Sequence, residues 1–216
     1  FALISTKKAE QNKVWVGLSK ETAHQLGTPI SSLMAWMDLL ESSGVDPSLL
    51  SDMNKDVNRL SVIAERFSKI GSKPEMELIY VNEVLENATE YMRRRVSDKV
   101  LITTHLPSDA AGAMVCLSLF EWVIENLCKN AVDAMNGEGR IDVYMTSEKQ
   151  QIYIDIKDTG KGIARKNFKT VFNPGYTTKK RGWGLGLTLA KRIIEDYHAG
   201  RIYVKDSEVG KGTTFR

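Results

Sequence analysis

The chain has 216 residues, 42% hydrophobic and 26% charged, with a formal net charge of +3, the make-up of a globular protein of one large or two small domains. So small a charge, with the basic residues scattered apart from Arg93-Arg94-Arg95, speaks against nucleic acid as a partner. No stretch approaches the ~20 apolar residues of a membrane span, no signal peptide is present, and Cys116 and Cys128 sit in apolar surroundings that predict buried free thiols. The chain starts at Phe1-Ala2-Leu3-Ile4 and stops at Thr213-Thr214-Phe215-Arg216 inside a strand pattern, so it reads as a piece of a longer protein.

Residues near 6 to 43 read as one long helix, with an apolar seam at Ala23, Leu26, Ile30, Leu33, Met37 and Leu40. His24 lies one residue off that seam, which points its imidazole toward solvent, and Pro29 should loosen the turn that carries it. Ser42-Ser43-Gly44 ends the helix. After the turn Gly44-Val45-Asp46-Pro47, with Ser48 as the expected cap, a second helix runs from about 48 to 70. Its seam is Leu50, Met53, Val57, Leu60, Ala64 and Phe67. Such a hairpin has a full apolar seam and one partner within the chain, so a homodimer forming a four-helix bundle is expected.

Gly71-Ser72-Lys73-Pro74 reads as a linker and hinge. Beyond it come a strand near 78–80, a helix from 82 to 95, a strand at 100–105 and a helix from 117 to 135. Strands at 141–144, 152–156 and 201–204 follow, with a helix from 185 to 197 before the last. The predicted class is α+β in two domains: residues 1–71 a helical hairpin, residues 72–216 an α/β sandwich with helices on one face of a mixed sheet.

Four segments of the second domain carry candidate chemistry. Asn126 and Asn130, four apart on a helix, put two amides on one face, where they can meet a phosphate or a hard cation. Asp158-Thr159-Gly160-Lys161-Gly162 follows a strand directly; an acid there suits an adenine amino group, and the glycines let a ligand approach the backbone. Gly182-Trp183-Gly184-Leu185-Gly186-Leu187 runs into a helix and offers exposed amides to phosphates. It follows no strand that opens a βαβ unit, which disfavours a dinucleotide site. Between these lies Phe172-Asn173-Pro174-Gly175-Tyr176-Thr177-Thr178-Lys179-Lys180-Arg181, with the residues of a mobile lid. The fourth, Gly210-Lys211-Gly212-Thr213-Thr214, reads as a tight turn between the last strands. Singly each has an ordinary structural explanation, as a polar stripe, a strand exit or a surface loop. The four in this order do not.

In that order the motifs resemble the catalytic core of two-component sensor histidine kinases over essentially the whole chain. Asn126 to Ala131 is similar to that family's N box, Asp158 to Gly162 to the G1 box, Phe172 to Lys179 to the F box and Gly182 to Leu187 to the G2 box. Gly210 to Thr213 resembles a third glycine motif, and the His24 stretch resembles the H box of the dimerization and histidine-phosphotransfer domain. The resemblance implies a Bergerat ATP-binding fold, shared with gyrase and mismatch-repair ATPases. It also implies ATP and Mg²⁺ as cofactors, a response regulator receiver domain as partner, and a cytoplasmic core of an inner-membrane sensor anchored outside this stretch. His24 would be the phosphoacceptor, and Asn130 the Mg²⁺ ligand with Asn126 beside it. Asp158 would bind adenine in a pocket shaped by Gly160 and Gly162. Thr178, Lys179, Gly182, Gly184, Leu185, Gly186 and Thr213 would belong to the lid and the nucleotide-binding region. Thr28 matches the position that helps orient water for dephosphorylating the regulator.

Two positions depart from that pattern. The family has Glu or Asp directly after the phosphoacceptor; here stands Gln25, which can orient the imidazole and cannot take a proton near neutral pH. Gly27 replaces a basic residue. Attack by a neutral imidazole needs no strong base, so autophosphorylation is expected to survive, slowed. Gln25 favours one rival, an ATP-binding dimeric signalling module that mainly docks a partner; a gyrase-like ATPase is the other, and it would want a glutamate where Asn126 stands.

Overall fold

The computed structural model describes residues 2–72, 74–178 and 184–216. The chain divides into two compact units, Phe1–Pro74 and Glu75–Arg216.

The first unit is a hairpin of α1 (Ala2–Ser42) and α2 (Pro47–Gly71). Ile30 and Met37 of α1 are buried with Val57 and Ala64 of α2, and Leu26 packs against that cluster. Pro29 lies inside α1, which continues through it. Asp46, rather than Ser48, caps α2: its carboxylate accepts from the Ser48 N–H at 2.8 Å, and Pro47 fills the first helical position, where a missing N–H costs nothing. Gly71 is likewise no part of a linker. It ends α2, and a Cβ there would fall 2.8 Å from the Lys20 backbone nitrogen, so the helices meet backbone to backbone at that level. Lys73 lies outside the described residues. Leu33, Met34, Trp36 and Leu39 of α1 and Leu49, Met53 and Leu60 of α2 remain exposed on the single hairpin.

In the second unit the elements are β1 (Glu77–Tyr80), α3 (Val81–Arg93), β2 (Val100–His105), β3 (Gly112–Val115), α4 (Leu117–Ala134), β4 (Gly139–Glu148) and β5 (Gln151–Asp158). Then follow α5 (Gly186–Arg192), β6 (Val204–Glu208) and β7 (Gly212–Phe215). β1 pairs antiparallel with β3; the main sheet runs β2-β4-β5-β7-β6, parallel between β2 and β4 and antiparallel elsewhere. α3 and α4 pack on each other and on the sheet, and the core sits between: Leu85 and Met92, Leu119 and Ile124, over Ile141, Val143 and Ile156. The result is a mixed sheet layered with helices, as the element order predicts.

Three boundaries differ from expectation. β3 is short and starts with Gly-Ala, so it carries little strand signal. α5 stops at Arg192 and runs into a π-turn over Ile193–Tyr197, so apolar periodicity continues past the α-helix. The last two strands are shifted: β6 begins at Val204, and Gly212 to Thr214 belong to β7 rather than to a turn. His198 ties the π-turn back to α4. Its Nδ1–H donates to the Ile193 carbonyl at 2.8 Å, and its Nε2 accepts from the Cys116 N–H at 3.0 Å, an arrangement open only to the neutral ring. Burial holds its pKa below the ordinary value of 6.5, against the opposing pull of the Ile193 carbonyl.

Cys116 and Cys128 are both buried and free, and burial, helped by the Glu125 charge, pushes the Cys128 thiol up to about 12. Among the described residues no helix is long and apolar enough to cross a membrane.

Candidate functional site

A cavity of about 490 Å³ opens in the second unit, within the size range of ligand pockets. One wall is a single face of α4: Asn126, Lys129, Asn130 and Asp133, at helical spacings of three and four. Asp158, at the end of β5, faces it, followed by Lys161 to Ala164. Tyr176, Thr177 and Thr178 contribute from the segment after Phe172, Gly184 to Leu187 from the start of α5, and Thr213 and Phe215 from β7.

Asp158 is 3% exposed. Its Oδ1 accepts from the Gly160 N–H at 2.8 Å. Burial raises the carboxyl pKa, and the N–H groups of Gly160 and Thr213 pull it back down. The turn after it is held by close backbone packing. Gly162 has φ +72°, and a Cβ there would run into the Glu208 carbonyl. The Gly210 N–H donates to the Lys161 carbonyl at 2.8 Å, so the third glycine turn closes on the first. Gly160 does not line the cavity: it backs onto Ala134, where a Cβ would fall 2.8 Å from the carbonyl carbon. Gly184, at φ +64°, sits against the Gly175 backbone in the same way.

Two more contacts fix the rim. The Lys161 ammonium donates to the Thr178 hydroxyl at 2.9 Å, and the Thr188 hydroxyl donates to the Phe172 carbonyl at 3.0 Å. Phe172 itself is buried edge-on to Phe215. Within the wall, the Asn126 amide nitrogen is buried without a hydrogen-bond partner among the described residues, and a Cβ at Gly186 would fall 3.6 Å from the oxygen of the same amide. A buried donor left unsatisfied costs about 1–3 kcal/mol, so it marks a place where a ligand acceptor fits.

The cavity therefore brings together Asn126, Asn130, Asp158, Gly162, Thr178, Gly184, Leu185, Gly186 and Thr213. Lys179 and Gly182 lie outside the described residues. Sequence reasoning missed Lys129, Asp133, Lys161, Asn167 and Tyr176. The signal for the first two was present, since they continue the Asn126/Asn130 face.

His24, Gln25 and Thr28 stand on α1 in the first unit, all three exposed. His24 lies in a shallow groove with Lys20 and Glu21 of α1 and Ala64, Glu65 and Ser68 of α2. The Gln25 amide donates to the Glu21 carboxylate at 2.7 Å, and the Thr28 carbonyl accepts from the Ser32 hydroxyl at 3.2 Å.

Residues 117–216 match the family of histidine kinase-, DNA gyrase B-, and HSP90-like ATPases. Sporulation kinase A of Bacillus subtilis (strain 168) is 26% identical over 215 residues, which cover 97% of this chain and 35% of that protein. The chain thus spans about a third of that curated relative, 35% of its length. Among solved structures, full-length ShkA in complex with AMPPNP overlays with a TM-score of 0.69 at 19% identity, covering 92% of this chain and 44% of that one. Histidine kinase ThkA in complex with the response regulator protein TrrA gives 0.61 at 18%, covering 97% and 63%. Residues 117–216 carry the ATP-binding fold of that ATPase family. Over 97% of its length the chain is similar to sporulation kinase A, and together with the match over residues 117–216 this supports a two-component histidine kinase catalytic core.

Proposed function

We propose that this chain moves the γ-phosphoryl group of ATP to His24, then to an aspartate on a response regulator receiver domain, and assists its later removal from that regulator. One observation carries the reading: a buried carboxylate, Asp158, and an unpartnered buried amide, Asn126, face one cavity in a chain whose hairpin holds an exposed histidine. Asp158, held by the Gly160 N–H, would accept from the adenine amino group in a pocket lined by Gly162. The Asn126 amide would donate to a phosphate oxygen. Thr178, Lys179, Gly182, Gly184, Leu185, Gly186 and Thr213 would surround the nucleotide.

The residues present also fit Mg²⁺. Asn130 lines the cavity on the same face of α4 as Asn126 and offers a hard amide oxygen, so it would serve as the ion's protein ligand beside water and phosphate oxygens. When bound, it would neutralise charge on the transferring phosphate.

His24, on an exposed flank, would serve as nucleophile, and Thr28, one turn on, would orient water during dephosphorylation of the regulator. The receiver domain would dock on the hairpin around them; ThkA's structure in complex with the regulator TrrA supports that choice of partner. The exposed Leu33, Trp36 and Leu39 would be covered by a second copy in a homodimeric four-helix bundle. Anchoring in a membrane would belong to the parent protein outside this stretch.

Incubation with γ-labelled Mg-ATP tests the reading. Acid-labile, base-stable label that vanishes in His24→Gln is the expected result. Free phosphate without labelled protein would instead mark an ATPase, and neither product a docking module.

A further inference from the structure

We propose that the carboxylate serving the His24 imidazole is Glu21, one helical turn before it, and that Gln25 acts by holding Glu21. The inference rests on the phosphoacceptor reading of His24 and assigns a general base and a positioning residue to it.

Gln25 is the only amide beside His24 in sequence, and its Nε2–H donates to Glu21 Oε1 at 2.7 Å. Glu21 and His24, three apart on α1, share a flank of the helix and line one groove. Among the described residues Glu21 makes no ion pair, whereas Glu65 across the groove is bonded to Lys69 at 3.0 Å. A neutral amide thus fixes the Glu21 carboxylate without cancelling its charge, and leaves it able to accept a proton. Glu65 is already committed to a cation.

The chemistry calls for such a group. One ring nitrogen gives its lone pair to the γ-phosphorus, the bond to the bridging oxygen breaks, and that electron pair departs on ADP. The ring becomes cationic, and the proton on its other nitrogen passes to the Glu21 carboxylate and then to water. An anion held one turn away stabilises the developing charge and receives that proton.

Labelling rates with γ-labelled Mg-ATP, taken across ATP concentrations on the whole chain, test this. Glu21→Gln should lower the maximal rate about tenfold or more, with KM for ATP and nucleotide binding within about twofold of wild type. Glu21→Asp should keep an intermediate rate, Glu65→Gln a rate near wild type, and Gln25→Glu in the Glu21→Gln background should restore much of what was lost. Glu21→Gln labelling at the wild-type rate would overturn the proposal. So would a loss that neither Glu21→Asp nor the added Gln25→Glu relieves, since that pattern means a structural role. An unlabelled wild type, or label persisting in His24→Gln, defeats the phosphoacceptor reading itself and this proposal with it. A normal rate in Glu21→Gln with label still on His24 defeats this proposal alone.

Discussion

Asp158 lies 3% exposed in a cavity wall, pinned by backbone N–H groups and by glycines whose neighbours leave no room for a side chain. His24 stands exposed on a helix flank, and apolar residues further along α1 are exposed as well: Trp36 is 64% exposed and Leu39 58%. One unit holds the polar groups of its cavity by packing. The other leaves a histidine and an apolar face of α1 exposed on the single hairpin. The difference teaches that nucleotide binding should depend on single buried atoms, while the hairpin should depend on what covers it.

Substitution at Asp158 presses hardest on that contrast. Losing a hydrogen bond to a buried carboxylate costs about 1.5–3 kcal/mol, so Asp158→Asn should weaken nucleotide binding by calorimetry about 10- to 100-fold and leave the hairpin's association untouched. Unchanged binding would mean the adenine sits elsewhere. On the other side, Trp36→Ala should weaken self-association about tenfold in sedimentation, as expected from losing at least ~1.5 kcal/mol of apolar burial, with nucleotide affinity unmoved. A dimer indifferent to Trp36 would break the view of that exposed apolar face as an interface.

Smaller effects sharpen the account of the ATP-binding unit. His198 is held neutral in the fold, with its pKa below 6.5, so its contribution to stability is whole above about pH 6.5 and is lost as pH falls through the folded value. Thermal melting of wild type should drop between pH 7.5 and 5.5 by more than that of His198→Gln; parallel curves would remove the clamp from the account. The smallest effect is at Cys128. With its thiol pushed up to about 12, it should resist alkylation at pH 8 until denaturant unfolds the chain.

What could be read in advance followed from periodicity. α1, α2 and α4 are long, and their spans fall close to the apolar pattern. β3, four residues beginning Gly-Ala, offers no alternation to detect. Gly71 reads as a linker residue in isolation; only the closeness of Lys20 on the facing helix shows it as a packing contact, and that is a tertiary fact. At the candidate site the chemical types Asn, Asp and Gly were legible because their spacing is local. Lys161 and Tyr176 lie inside motifs that were legible, but nothing in the local spacing marks them, rather than their neighbours, as the residues that line the cavity. Likewise the bond from Gln25 to Glu21 runs backward one turn, opposite to the direction in which the histidine's next neighbour draws attention.

The most direct measurement is to map the phosphoryl group. After brief reaction with Mg-ATP, peptides of the whole chain analysed under alkaline conditions should carry one phosphoryl group, on the peptide holding His24 and on its imidazole. Modification of any other residue, or ATP turned over with the chain left bare, would contradict the account.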